Sequence, residues 1–214
     1  MSLLNAVESL VFASASSEDL FNPYLDRSES LDRADAPAVR RTNLRSYLAD
    51  HADGAALLLV AEAPGPWGCR FSGVPITSES QLLDPQFPAS GGRSGLREEP
   101  YSEYSAGIFW RVMQPFYTSF FVWNSVPLHP HRKGEPLSIR TPRTSEIERF
   151  LPLLGAVVAE MAPDRILAIG RKAEEALKRI GCEPSYVRHP SQGGARLFED
   201  GVLGAVHDLG IGPD

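Results

Sequence analysis

The sequence predicts an α/β fold, a three-layer α/β/α sandwich around a mostly parallel sheet, and three kinds of feature carry that expectation. The run Ala55 to Val60 holds neither charge nor alternation, which suits a strand covered on both faces. Apolar runs recur at Ser119 to Trp123 and Asp164 to Ile169 with helical patterns between them, the alternation expected of βαβ units. Each run also stops abruptly, in Glu62-Ala63-Pro64-Gly65, in Asn124 and in Gly170. Ligands of open parallel sheets sit beyond the carboxyl ends of strands, so these exits are where chemistry is expected.

Leu3, Leu4, Val7, Leu10 and Val11 fall at helical spacing and predict an amphipathic N-terminal helix, followed by a polar connection through Asn22-Pro23. A second helix is expected over Ala38 to Ala49, so residues 1–50 or so decorate the core with helices. After the first central strand comes a Gly/Pro/Ser-rich region, Pro64 to Gly95, too long for a simple turn and therefore functional or partly mobile. Its most flexible part should be Ser90 to Gly95. Ser102 to Met113 reads as a helix leading into the strand at Ser119 to Trp123. Thr144-Ser145-Glu146 opens another helix reaching about Met161, with Ser145 or Thr144 as its N-cap. The strand Asp164 to Ile169 is followed by a helix over Lys172 to Ile180. A short strand, Ser185 to Val187, runs into Arg188-His189-Pro190-Ser191, and a last helix over Ala195 to Leu209 is weakened by Gly201 and Gly204. There is no internal repeat, and 214 residues suit one domain spanning 1–214.

Charged residues at 22% and hydrophobic ones at 43% are ordinary for a globular protein. No apolar stretch approaches the roughly 18 residues of a membrane span. Asn5, Glu8 and Ser9 interrupt any secretory signal, so a cytoplasmic location is the default expectation, and a monomer is expected. Cys69 and Cys182 are the only cysteines, too few for a four-thiolate zinc or iron–sulfur site, and reduced thiols are expected. The net charge of −6 argues against a broadly basic surface. His129 to Arg143 differs locally, with Arg132, Lys133, Arg140 and Arg143 against Glu135 alone. That segment is read either as a phosphate-binding stretch or as a solvated loop.

Glu62, at a strand exit, is read as orienting a water or a polar ligand edge, or as an exposed or capping carboxylate. Pro64 and Gly65 set a sharp turn that lets backbone N–H groups face a substrate. Asn124 and Trp123 point to opposite faces of an extended strand, so one is free to pack while the other, an amide with donor and acceptor, matches a pyrimidine edge. The competing reading is that Asn124 merely closes a strand end, the more common role for such a residue. His189, between Arg188 and Pro190 at a strand-to-loop exit, is the strongest catalytic candidate among the five histidines. His129 and His131 lack partners in sequence for a metal site, so no metal is expected. Ser191 beside His189 is no hydrolase pair, because the G-x-S-x-G elbow is absent.

In order along the chain, Ala61-Glu62-Ala63-Pro64-Gly65, Gly73-Val74-Pro75 with Gln81-Leu82-Leu83, Asn124, Arg140-Thr141-Pro142 and His189-Pro190-Ser191 resemble the motifs of the uracil-DNA glycosylase superfamily. The first is similar to the G-E-A-P-G of the family-four enzymes, and the last to the superfamily's H-P-S or H-P-A motif. The resemblance covers roughly Ala55 to Ser191. Ala61 departs from the usual first glycine, the four cluster cysteines are absent, and Ala63 stands where the best-known relatives carry a water-activating aspartate.

The resemblance implies a DNA base-excision repair enzyme that extrudes a deoxyuridine, or a related deaminated nucleotide, and hydrolyses its N-glycosidic bond without a cofactor. Asn124 would then read the uracil edge, and His189 would stabilise the departing base, with Glu62 and the backbone near Ala63 assisting. Stacking on the base falls to Phe71 or, if the loop is aligned on Gly73-Val74-Pro75, to Ile76. Arg132, Lys133, Arg140, Arg143, Ser191 and Arg196 are the expected contacts to DNA, with Arg196 or Leu197 as a wedge. The alternatives are a glycosylase-like protein that binds DNA or a base without turnover, and a small-molecule hydrolase on the same scaffold.

Overall fold

The structure, a computed structural model, describes residues 2–214. Its centre is a four-stranded parallel sheet. In chain order after a two-residue strand β1 (Leu20–Phe21), the sheet strands are β2 (Leu57–Ala61), β3 (Phe120–Asn124), β5 (Arg165–Ile169) and β6 (Ser185–Val187). They lie side by side as β3-β2-β5-β6, with Leu57 opposite both Phe120 and Arg165. Every residue of β2 and β3 is buried, which is why neither run alternates. β1 pairs antiparallel with β4 (His129–Pro130) outside this sheet, a contact of two residues too short to announce itself in sequence.

The helices are α1 (Leu3–Val7), continued by a π-helical turn over Glu8–Phe12, α2 (Ala36–Asp50), α3 (Cys69–Ser72), α4 (Glu79–Leu82), α5 (Tyr104–Met113), α6 (Thr144–Met161), α7 (Arg171–Arg179) and α8 (Ala195–Asp208). α6 packs on α1 and α7, while α5 packs on α8. With right-handed crossovers these two groups cover opposite faces of the sheet and complete the α/β/α sandwich. α2 guards the free edge of β3. Its Tyr47 hydroxyl accepts the Val122 N–H at 2.9 Å and donates to the Val122 carbonyl at 3.3 Å, satisfying backbone groups that an edge strand leaves open.

The chain leaves β2 toward β3 on one side and leaves β5 toward β6 on the other. The carboxyl ends of these two neighbours therefore form the topological switch point, where an open sheet leaves a crevice.

The region Pro64 to Gly95 is bound into the body of the protein rather than loose. The buried Glu79 carboxylate accepts the N–H groups of Ser94 and Gly95 at 2.6 and 2.7 Å. The Asn43 amide holds Gly92 from both sides, accepting its N–H at 2.7 Å and donating to its carbonyl at 3.0 Å. The expectation of flexibility over Ser90 to Gly95 fails because buried polar side chains elsewhere in sequence require those backbone partners. Nearby, Asp32 is completely enclosed by two guanidiniums: Arg70 donates to it at 2.7 and 3.1 Å, and Arg40 pairs with it from α2. Burial alone would raise the Asp32 carboxyl, but the hydrogen bond from Arg70 and the charge of Arg40 reverse that and hold it below the ordinary range.

Candidate active site

A cleft of about 790 Å³ opens at the switch point. The exits of β2, β5 and β6 line it, with Ile139 to Pro142 and the start of α5 closing its other walls. Of the residues singled out from sequence, it gathers Glu62, Ala63, Ile76, Arg140, His189 and Ser191.

His189 reaches the cleft because β6 ends there, and its ring is held by the turn that follows. The Ser191 hydroxyl lies 2.8 Å from Nδ1 and the Ser191 backbone N–H donates to the same atom at 3.2 Å. An N–H only donates, so Nδ1 is the acceptor and the proton of the neutral ring sits on Nε2. Burial, assisted by the neighbouring Arg188 charge, lowers the tendency of His189 to take a second proton. The cleft is thereby supplied with a neutral imidazole whose Nε2 is a donor.

Glu62 is placed otherwise than a free water-orienting carboxylate. Its Oε1 accepts the Lys172 N–H at 3.1 Å, in the first turn of α7, where an anion is favoured by the open backbone donors. Gly170 permits this approach: its φ is +95°, and a Cβ there would lie 2.6 Å from Oε1. The Glu62 carbonyl accepts the Val126 N–H at 3.0 Å and the Ser125 hydroxyl at 2.9 Å. Glu62 therefore ties β2, β3 and α7 together at the cleft floor, the capping alternative allowed by the sequence.

Asn124 ends β3 beside Ala61, yet its side chain is buried and donates to the Cys69 Sγ at 3.6 Å. Cys69, not Asn124, reaches the cleft surface. Burial, then the charge of Glu103, pushes the Cys69 thiol above its ordinary range, so it stays a neutral thiol. Trp123, on the opposite face of β3, packs in the core as alternation requires.

The two stacking candidates separate cleanly. Phe71 is fully buried, its ring stacked on Tyr101 at 3.5 Å and flanked by the Arg70 guanidinium, and it lines no part of the cleft. Ile76 does line it, with a φ of +46° that turns the chain at the wall. The correction for Phe71 has a plain cause: α3 directs that ring inward to close the Asp32 cluster.

The basic segment divides as well. Arg140 donates to both oxygens of Glu146, at 2.8 and 2.6 Å, and to the Asp19 carbonyl at 2.8 Å, while Arg143 pairs with the Asp19 carboxylate. These two arginines join α6 to the N-terminal region. Arg132 and Lys133 are exposed on the turn after β4, paired with Glu135 and Glu18, and Arg196 is exposed on α8. None of Arg132, Lys133, Arg143 and Arg196 borders the cleft. His129 has a different task from the metal pair considered above. Its Nδ1 contacts the Pro64 carbonyl at 2.8 Å and its Nε2 the Pro136 carbonyl at 3.2 Å, bracing the loop after β2.

Sequence reasoning missed Glu103, Tyr104, Arg171 and Arg188, all of which border the cleft. Arg188 carried the one signal available in sequence, since it directly precedes His189, and the structure adds that it forms no ion pair among the described residues. Among those residues no helix is long and apolar enough to cross a membrane. The two cysteines lie apart, one under the cleft and one beyond α7, and cannot supply the four thiolates of an iron–sulfur cluster.

Similarity to known proteins agrees with this geometry. No sequence among curated proteins matches the chain. The crystal structure of wild-type SMUG2 from Pedobacter heparinus matches with a TM-score of 0.62 over 98% of this chain and 99% of that one, at 12% identity, a likeness of fold. The model of the uracil DNA glycosylase superfamily matches residues 49–207, a span that holds the whole parallel sheet and every exit lining the cleft, and the chain belongs to that superfamily.

Proposed function

We propose that this protein is a monofunctional DNA glycosylase that removes uracil, or a closely related deaminated base, from DNA in base-excision repair, working as a monomer. The observation that carries the reading is His189, which lines the switch-point cleft and whose Nδ1 accepts the Ser191 backbone N–H, leaving Nε2 as the donor of the neutral ring.

Hydrolysis of the N-glycosidic bond leaves negative charge on the departing base and oxocarbenium character on the sugar. A donor at uracil O2 therefore gains strength as the bond breaks, which is the condition for lowering the barrier rather than merely binding substrate. His189 Nε2–H supplies that donor, and its neutrality avoids a full proton transfer to the base. Ile76 packs against the extruded ring. Asn124 reads the base edge if Cys69 yields its amide hydrogen bond, and Cys69 itself offers a soft contact at the same wall. Arg188, beside the histidine, meets a flanking phosphate, while Arg132, Lys133 and Arg196 contribute at longer reach.

The test is release of uracil from single- and double-stranded oligonucleotides, read by strand scission at the abasic site. Release by wild-type protein supports the reading. Ala63, which has no polar group for a water, favours the second reading of a binding protein without turnover, and tight binding with no release would decide for it.

A further inference from the structure

Ala63 offers no side-chain donor or acceptor, and Glu62 gives one carboxylate oxygen to the first turn of α7. A second carboxylate borders the same cleft. Glu103, the residue before α5, receives the Ser105 hydroxyl on Oε1 at 2.7 Å and the Trp67 backbone N–H on Oε2 at 3.3 Å. These bonds orient the carboxylate and leave further acceptor positions on both oxygens.

The loop after β2 is shaped around this group. A Cβ on Gly65 would collide with both Glu103 oxygens, and one on Gly68 would lie 2.9 Å from Oε2. Glycines at these two positions let the backbone approach a carboxylate that comes from elsewhere in sequence. The carboxylate links the loop to the start of α5 but is neither a helix cap nor half of an ion pair. It makes no cap hydrogen bond to α5, and among the described residues no Lys, Arg or His pairs with it. An anion held by two donors, without a counter-ion, at the wall of a cleft is suited to a neutral ligand that has protons to give.

We propose that Glu103 holds the attacking water and accepts its proton, resting on the glycosylase reading above. The C1′–N1 bond breaks and its electron pair leaves with the base, whose anion is held by His189. The water oxygen forms the new bond to C1′, and its proton passes to Glu103 and then to the released base. The products are the free base and an abasic deoxyribose, with no change of oxidation state and no further reactant. Glu103 takes over from another position the task that a side chain at Ala63 would otherwise perform.

The experiment is single-turnover uracil release with protein in excess, for wild type, Glu103→Gln and Glu103→Ala, the last with and without formate. Binding to the same oligonucleotide bearing a non-hydrolysable 2′-fluorinated deoxyuridine is measured on the same samples. Loss of a general base predicts release slowed by about a hundredfold or more in Glu103→Gln, affinity nearly unchanged, and formate restoring release to Glu103→Ala but not to wild type. Release by Glu103→Gln close to that of wild type overturns the proposal. So does affinity falling in step with release without rescue by formate, since that marks a structural tether. A wild-type protein that binds the analogue yet releases no uracil overturns the glycosylase reading first, and this proposal with it.

Discussion

The backbone N–H of Ser191 donates to Nδ1 of His189 at 3.2 Å, and this contact leaves Nε2 as the nitrogen that carries the proton of the neutral ring. Burial and then Arg188 hold the ring below its ordinary value of 6.5, so it is neutral at pH 7 and stays neutral as pH falls past that value. Single-turnover release should therefore be level from neutral pH to below 6.5, with any acid limb from this residue lying lower. Arg188→Gln removes a positive neighbour, favours the imidazolium, and should move that limb to higher pH. A pH–rate profile of both proteins checks this, and an unmoved limb would count against Arg188 as the neighbour that matters.

His129 makes stability depend on pH in the same direction. Burial pushes it down from 6.5 to about 4, against the pull of the Pro64 carbonyl. The unfolded chain takes up a proton below 6.5 that the folded protein refuses until about 4. Stability is thus fully present above 6.5 and declines as pH falls through that window, by on the order of 3 kcal/mol in all. Urea midpoints across this range should show the decline, and His129→Gln, though less stable at neutral pH, should show a flatter one.

Two arginines of the cleft should respond in opposite ways. Arg188 forms no ion pair among the described residues, so Arg188→Ala should weaken DNA binding and reduce the salt slope by about one phosphate's worth, with little loss of stability. Arg140 is committed to Glu146 and Asp19, so Arg140→Ala should lower stability before it lowers the salt slope. Affinity titrations against salt, beside thermal unfolding, distinguish the two.

Asp32 has no exposed surface, and two guanidiniums point at it. Asp32→Asn keeps the shape but leaves two buried positive charges facing a neutral amide, and breaking a buried pair in this way typically costs about 3 to 5 kcal/mol. Equilibrium unfolding should register most of that loss. A change well under 1 kcal/mol would mean that water or neighbouring carbonyls already screen the arginines.

The central sheet was legible because burial on both faces leaves Leu57 to Ala61 and Phe120 to Trp123 without a polar residue, and because polar residues or a glycine follow directly at the strand exits. His189 was legible for the same reason, as a polar group at such an end. What stayed hidden depends on partners distant in sequence. Phe71 looked free to stack on a base because nothing local shows that Arg70 and Tyr101 enclose it. The Ser90 to Gly95 stretch looked loose because its anchors, Asn43 and Glu79, lie elsewhere. Glu62 stayed open between a water-orienting and a capping carboxylate until the fold set the first turn of α7 against it, and Glu103 carried no signal until Gly65 and Gly68 were seen to make room for it.

The most direct test of the account is single-turnover excision of uracil by His189→Ala, measured beside its affinity for the same DNA. Removing one donor that acts chiefly in the transition state should slow excision by roughly a hundredfold to a thousandfold while affinity changes little. Excision at the wild-type rate under saturating protein would contradict the central role given to His189.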